Sequence, residues 1–571
     1  MTSAPVTSAP VADRNALTPG ARRAAGVGLV LALFLTVPGL VAAAAFVAGW
    51  KLSPAVLGIA VALVVGWTWR ADRAGAPFSL GAAAVVVAVA MVLAAQFFDL
   101  SFDGQTYHQG GIRALAGGWN PVWGFRESET FASAAHITGL PKAAWILQAL
   151  LFQVTGALES AKGTHVIGLA AAFLLAWPAL ESAGIGRRAA VVAAGLATAN
   201  PVALTQLLTF HVDGLMASSL TMVLALGLGY WRLRDRRWAV ALALLLPFLA
   251  NLKFPAMVYV VAIAGTILVL VAWRERSRLR EAVVLIAVAA VLTLSEGINP
   301  YVTNAIAHGH PAYPAAGRDA IAMVVHRDPV FAAQPRIVQL ARALMSRSSD
   351  QDDQPPRAKF PLSVHRSEVA AFGTVDTRIG GLGPLFGGAL IIALGMAATA
   401  AARRRPRGAA VAALCFGAFL SALVIPFGFY SRYAPQLWLA ATTALLTDEL
   451  RGRMSRLLAL IMALNTAFVA AASLGTQAYE ERLHREQLTA IARDAAGQPV
   501  TFSFTENAFV NVDLHFDAYR VAYRQVDTLG CERPALLLRT HALMCLGGDR
   551  SPAAPPDPEM RAAALLSALR R

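Results

Sequence analysis

Five polar runs in this chain have residue types that can do chemistry. The first is Phe98-Asp99-Leu100-Ser101-Phe102-Asp103-Gly104-Gln105-Thr106-Tyr107-His108, two acids and a histidine directly after an apolar stretch. The second is His211-Val212-Asp213-Gly214, and the third is Lys253 between two apolar stretches. The fourth joins Glu296 to Asn299-Pro300-Tyr301-Val302-Thr303-Asn304 and His308-Gly309-His310, and the fifth is Tyr430-Ser431-Arg432-Tyr433-Ala434-Pro435. A carboxylate can take the proton of a hydroxyl as general base. A lysine or arginine can neutralise charge on a departing phosphate. Each run also has a plainer reading: an acid can simply cap a helix, and an arginine between tyrosines can anchor an interface.

The elements that must position these residues are membrane spans. Hydrophobic residues make up 57% of the 571 and charged residues 15%, where a soluble chain carries about a quarter charged. Mean hydropathy is +0.54. Apolar runs at 27–50, 52–69, 79–98 and 385–402 meet the requirement of about 20 residues per crossing. The net charge of +15 sits largely in short arginine clusters between such runs, at 22–23, 70–73, 187–188, 232–237, 274–280, 403–407 and 451–456. Short basic loops stay in the cytoplasm, so the charge reports topology and nucleic acid is excluded as a partner.

Threading the chain on that rule puts residues 1–23, rich in Ser, Ala, Pro and Thr, in a disordered cytoplasmic N-terminus. The membrane domain is expected over 24–474, with about 13 crossings, each near the ~20-residue requirement. Its outer loops would be 99–162 and 299–382, with 143–158 lying on the outer leaflet and 346–366 forming a mobile lid. All five polar runs fall on the outer face. Residues 475–571 would form a small exoplasmic α/β domain, where Cys531 and Cys545 can pair because the compartment is oxidising. The expected fold class is thus an all-α polytopic membrane protein with a small C-terminal α/β domain.

Nucleotide-activated donors belong to the cytoplasm, so an outer-face transferase would draw on a lipid-linked phosphate. On these residues the chain resembles the GT-C superfamily of integral-membrane glycosyltransferases. The likeness is to the bacterial branch akin to protein O-mannosyltransferases and aminoarabinose transferases, and it covers roughly 79–450. It rests on the acidic motif of the first outer loop (Asp103), a second acid at the next outer turn (Asp213), Leu249-Ala250-Asn251-Leu252-Lys253-Phe254-Pro255, and Arg432-Tyr433-Ala434-Pro435. The resemblance implies a GT-C-like fold and Asp103 as general base or acceptor-orienting acid. It implies Asp213 as a second acid holding acceptor or metal, and Lys253 and Arg432 on the donor phosphate. Tyr433, Tyr107, His108, Gln105 and His211 are the further substrate-binding candidates. The first loop reads Asp103-Gly104-Gln105 where the family has a tight acidic pair, which leaves a divalent metal ion an open cofactor.

The implied partners are a polyprenyl-phosphate-linked sugar, membrane lipid, and a glycan, lipid or protein acceptor. The implied location is a bacterial inner membrane, with the site on the periplasmic or extracellular side. Two other readings stand beside this one. A membrane transporter or lipid flippase also places ionisable groups in a membrane, and a polysaccharide polymerase or ligase also uses lipid-linked donors.

Overall fold

The structure, a computed structural model, describes residues 17–124, 134–318, 320–321, 326–404, 407–504 and 511–546. The chain is mostly helical, with one small sheet near its C-terminal end. The first helix, Pro19–Val47, starts five residues before residue 24, where the membrane domain was expected to begin. The Thr18 hydroxyl accepts from the Ala21 amide at 3.3 Å and Pro19 takes the first helical position, so cap and proline together begin the helix there. Residues 1–16, the rest of the N-terminus expected to be disordered, lie outside the described residues.

Among the described residues six helices are long and apolar enough to cross a membrane. They are Pro19–Val47, Pro54–Ala71, Ala76–Ala94, Leu158–Ser182, Asp213–Leu233 and Arg453–Ala495. A seventh crossing appears if Arg276–Glu296 and Ile298–His308, bent by 72° at their junction, are one broken span. In Asp213–Leu233 72% of the apolar window is buried and in Ala76–Ala94 only 22%, so the former is central and the latter peripheral.

The other expected crossings are short or divided. The run at 189–209 splits into Arg187–Thr198 and Pro201–Thr205, because Pro201 offers no amide and Asn200 before it turns extended, capping Val202 N at 3.0 Å. Gln436–Ala444 has nine residues, about 14 Å of helix, and Arg236–Ala250 has 15.

Two expectations about the loops change. Helix Ala143–Thr155 is not an isolated surface helix: Ala143 through Leu151 are all buried, with Trp145 at 1% exposure. Protein covers those residues, while Val154 near the end of the helix is 57% exposed. Segment 346–366 is tied down by bridges from Ser346 to Ala358 and from Ser349 to Ile379, and by the buried Lys359–Glu368 pair.

Helix Arg453–Ala495 spans 43 residues, about 65 Å, roughly twice the thickness of a bilayer core. Its far end carries the sheet: β1 (Val500–Phe504), β2 (Tyr523–Gln525), β3 (Ala535–Leu537) and β4 (Ala542–Cys545) in the order β2-β1-β4-β3. Only the β1–β2 pair is parallel. Leu488 and Ile491 of the long helix pack into the sheet's core with Phe502 and Phe516. Cys531 and Cys545 are disulfide-bonded, joining the stretch before β3 to β4.

Candidate functional site

The site begins with a buried carboxylate that binds two backbone amides. Asp99, fully buried beyond the end of helix Ala76–Ala94, accepts from Phe210 N at 2.6 Å and from Ser101 N at 2.9 Å. That clamps the first polar run against the turn that precedes helix Asp213–Leu233. Gly104 permits the approach, since a Cβ there would lie 2.1 Å from Asp99 Oδ2. The result brings His211 Nδ1 to 3.7 Å from the Asp103 carboxylate.

Arg432 arrives on the short helical turn Ser431–Tyr433. Its Nη1 donates to Asp103 Oδ2 at 3.0 Å and lies 3.4 Å from His211 Nδ1. The Tyr107 hydroxyl donates to the same Asp103 oxygen at 3.1 Å. Asp103 Oδ1 accepts no hydrogen bond among the described residues, and the side chain is 20% exposed. Burial alone would raise the Asp103 carboxyl. Arg432, with His211, His108 and Lys253 further off, outweighs it and holds the group well below the usual carboxylate range.

Asp213 is the first residue of its helix, where the dipole favours an acid. Lys253 Nζ donates to its Oδ1 at 2.5 Å, and Gln206 donates to its Oδ2 at 3.3 Å. Gln206 Oε1 in turn accepts from Gly214 N at 2.7 Å, fixing the start of the helix. Lys253 reaches this point because helix Arg236–Ala250 ends and Phe254–Arg274 begins around it. Burial pulls the Lys253 amine down, but the Asp213 carboxylate more than compensates and holds it above its ordinary value.

Tyr433 joins the two ion pairs. Lys253 Nζ is 4.1 Å from its ring centroid and the Arg432 guanidinium carbon 5.3 Å. The Tyr433 carbonyl accepts from the hydroxyl of Tyr259. His108 faces Trp145, whose indole N–H donates to its Nδ1 at 2.7 Å. Burial, with His211 adding to it, pushes His108 well below its ordinary value, so it sits here as a neutral acceptor.

Eight of the nine sequence-derived site residues therefore gather: Asp103, Asp213, Lys253, Arg432, Tyr433, Tyr107, His108 and His211. Gln105 does not join them. Its amide donates to the carbonyl of Arg539 at 2.8 Å, and its own carbonyl accepts from Asn511 at 3.2 Å, so it docks the C-terminal unit. The fourth polar run also stays apart, with His308 stacked on Tyr313 and Glu296 packed against Gly39.

The sequence reading missed Asp376. Its Oδ1 lies 3.1 Å from Arg432 Nε, an ion pair without hydrogen-bond alignment. Its other oxygen accepts from Arg378 Nε at 3.2 Å, and Arg378 also donates to Asp352. The only sequence signal was an acid two residues before a base, Asp376-Thr377-Arg378, inside the expected outer loop 299–382.

Asp103 and Asp213 each already hold a cationic side chain, and among the described residues no three His, Cys, Asp or Glu side chains converge as metal ligands. These residues do not fit a resident divalent ion. Beneath the site lies a cavity of about 490 Å³, lined mainly by apolar residues such as Leu220, Leu224, Ile263 and Leu439, with Tyr259 in its wall. It reaches to Tyr230, Arg278 and Glu281 at the opposite, arginine-rich end of these helices. No known protein family's profile matches the chain, and no curated protein matches its sequence.

Proposed function

We propose that this chain is a GT-C-like membrane glycosyltransferase. It moves a sugar from a polyprenyl-phosphate donor to an acceptor on the exoplasmic face of a bacterial inner membrane, which the chain crosses about 13 times with several helices shorter than the ~20 residues of a full crossing. The observation that carries this reading is the pairing of each acid with its own cation around one tyrosine ring: Asp103 with Arg432, and Asp213 with Lys253.

Such an arrangement suits a donor phosphate and an acceptor hydroxyl side by side. A phosphate entering beside Tyr433 competes for Arg432 and Lys253, and in doing so frees the Asp103 carboxylate. Asp103 then takes the proton of the acceptor hydroxyl as the new bond from that oxygen to the sugar carbon forms. The bond from the sugar to the phosphate oxygen breaks, and the charge left on the phosphate rests on the two cations. Asp213 keeps Lys253 charged and aimed. Tyr107 and His211 orient Asp103, and His108 backs them as a neutral acceptor. The apolar cavity that shares Tyr259 with the site has walls suited to an isoprenoid tail. The acceptor is a glycan, lipid or protein.

The test is turnover of a polyprenyl-phosphate sugar by purified, reconstituted protein, wild type against Asp103→Asn. Turnover by wild type and its loss in a folded Asp103→Asn protein support the reading. No binding or turnover across a panel of lipid-linked sugars would sink it.

One observation favours a transporter or lipid flippase instead. The helix ending at Glu296 meets Ile298–His308 at a 72° bend, and the Glu296 carboxyl is buried with no cation paired to it among the described residues. Broken helices and isolated intramembrane acids occur in transporters. Movement of a labelled lipid across proteoliposomes, lost in Glu296→Gln and unaffected by Asp103→Asn, would put that reading first.

A further inference from the structure

The long segment between helices Leu279–Glu296 and Phe386–Ala402 leaves bulky apolar side chains uncovered. Ile337 is 63% exposed, Phe360 72% and Val330 69%. Helix Arg336–Leu344 explains part of this, because its apolar face is broader than the core it packs on. Leu340 and Leu344 turn inward and join the same core as Phe386, Leu390 and Val411 of the membrane helices. Ile337 and Val338 turn outward.

The segment sits at the level where two helices end. Arg336 Nη1 donates to the carbonyls of Leu423 and Val424, the last two residues of helix Gly408–Val424, at 3.3 and 3.0 Å. Pro361 O accepts from Gly388 N in the first turn of helix Phe386–Ala402 at 3.2 Å. Leu362 packs so closely on Gly388 that a Cβ there would lie 2.2 Å from its Cδ2. On those same two helices Ile391, Leu420 and Val424 are about half exposed (52%, 51% and 52%), as lipid-facing residues are. The uncovered loop residues therefore continue a lipid-facing surface past the helix ends. Exposed Arg336, Arg357 and Arg366 lie in the same segment, a composition that suits phosphate headgroups.

We propose that this segment is embedded in the leaflet on the site's side of the membrane. Ile337 and Phe360 reach the boundary between headgroups and acyl chains, and Arg336, Arg357 and Arg366 lie among lipid phosphates. The occupant of the apolar face is bilayer lipid. The inference is independent of the glycosyltransferase reading, since it needs only that the helices cross a membrane. Its consequence for the site is direct: the same segment carries Asp376 and Arg378, so the wall around Arg432 is held by the leaflet itself.

The experiment places single cysteines at Ile337, Phe360, Leu420 and Asp353 in full-length protein carrying Cys415→Ala, with the Cys531–Cys545 disulfide intact. Each is labelled with bimane and reconstituted in nanodiscs, with or without phosphatidylcholine bearing a nitroxide near its headgroup. Quenching at 337 and 360 is expected to match that at Leu420 within about twofold, since interfacial side chains sit roughly 5–10 Å into the boundary. Label at Asp353 should respond to aqueous iodide instead. The proposal fails if labels at 337 and 360 behave like the one at 353. It fails equally if they respond to neither quencher, as they would if a second copy of the chain or another protein covered this face.

Discussion

Two ion pairs in this molecule look alike on paper and do opposite things. Lys359–Glu368 is 2.6 Å long with side chains 4% and 0% exposed. Arg432–Asp103 is 3.0 Å long with side chains 11% and 20% exposed. Glu368 is saturated by its own fold, because Ser348 N and Lys359 Nζ reach one oxygen and His365 N reaches the other. Lys359 also donates to the carbonyls of Ser363 and Pro384. Asp103 receives only side chains, all on one oxygen, and its other oxygen is free among the described residues. A charge pair locked by backbone groups holds a loop. A charge pair made of side chains, with spare acceptor capacity at an opening, is available to a ligand.

The comparison can be broken by mutation. The largest effect on turnover is expected from Asp103→Asn, which should lower sugar transfer by roughly 10²–10⁴-fold, the contribution of a general base. Its melting temperature should stay near wild type, because no backbone group depends on the charge.

Lys253→Ala sharpens the picture, since it removes a cation from the site and also strands Asp213, 1% exposed. We expect turnover to drop about 10²-fold and stability to fall by about 3–5 kcal/mol. Adding Asp213→Asn should restore much of the stability and none of the turnover. Recovery of both in the double variant would mean that the pair is structural.

Glu368→Gln should do the reverse of Asp103→Asn. Denaturant unfolding should register a loss of about 3 kcal/mol, while turnover per folded molecule stays within about twofold of wild type.

The smallest expected effect is that of pH. Asp103 is held below the ordinary carboxylate range, so its contribution is present at neutral pH and lost only as pH falls through that lowered value. Lys253 is held above its ordinary value and keeps its proton until pH rises through it. Transfer should therefore be nearly flat between about pH 5 and pH 9. An acid limb near pH 6 in the rate profile would mean that Asp103 is not the proton acceptor.

Much of this was legible in the chain. Apolar runs with arginines between them require helices in a membrane, because only there can such surface be buried without a soluble core. The site residues stood out because acids, a lysine and an arginine at the ends of apolar runs are costly unless they are partnered or used. Helix lengths were less legible: the split at Asn200-Pro201 and the nine-residue Gln436–Ala444 sit inside runs whose hydropathy is continuous. Hydropathy records what a segment can be buried in, not whether its backbone stays helical throughout.

Partnership was decided by tertiary structure alone. Asp103 and Arg432 are 329 residues apart and Asp213 and Lys253 are 40 apart, and no local rule pairs them. Gln105 and Tyr107 stand two residues apart, yet one side chain bonds the C-terminal unit and the other bonds Asp103. Asp376 gave almost no signal, since an acid in a polar loop is ordinary until folding sets a guanidinium beside it. Composition thus determined the solvent this chain lives in and the residue types that need partners there. Which charge meets which was determined by packing, because an ion pair is a matter of a few ångströms in space and carries no fixed spacing along the chain.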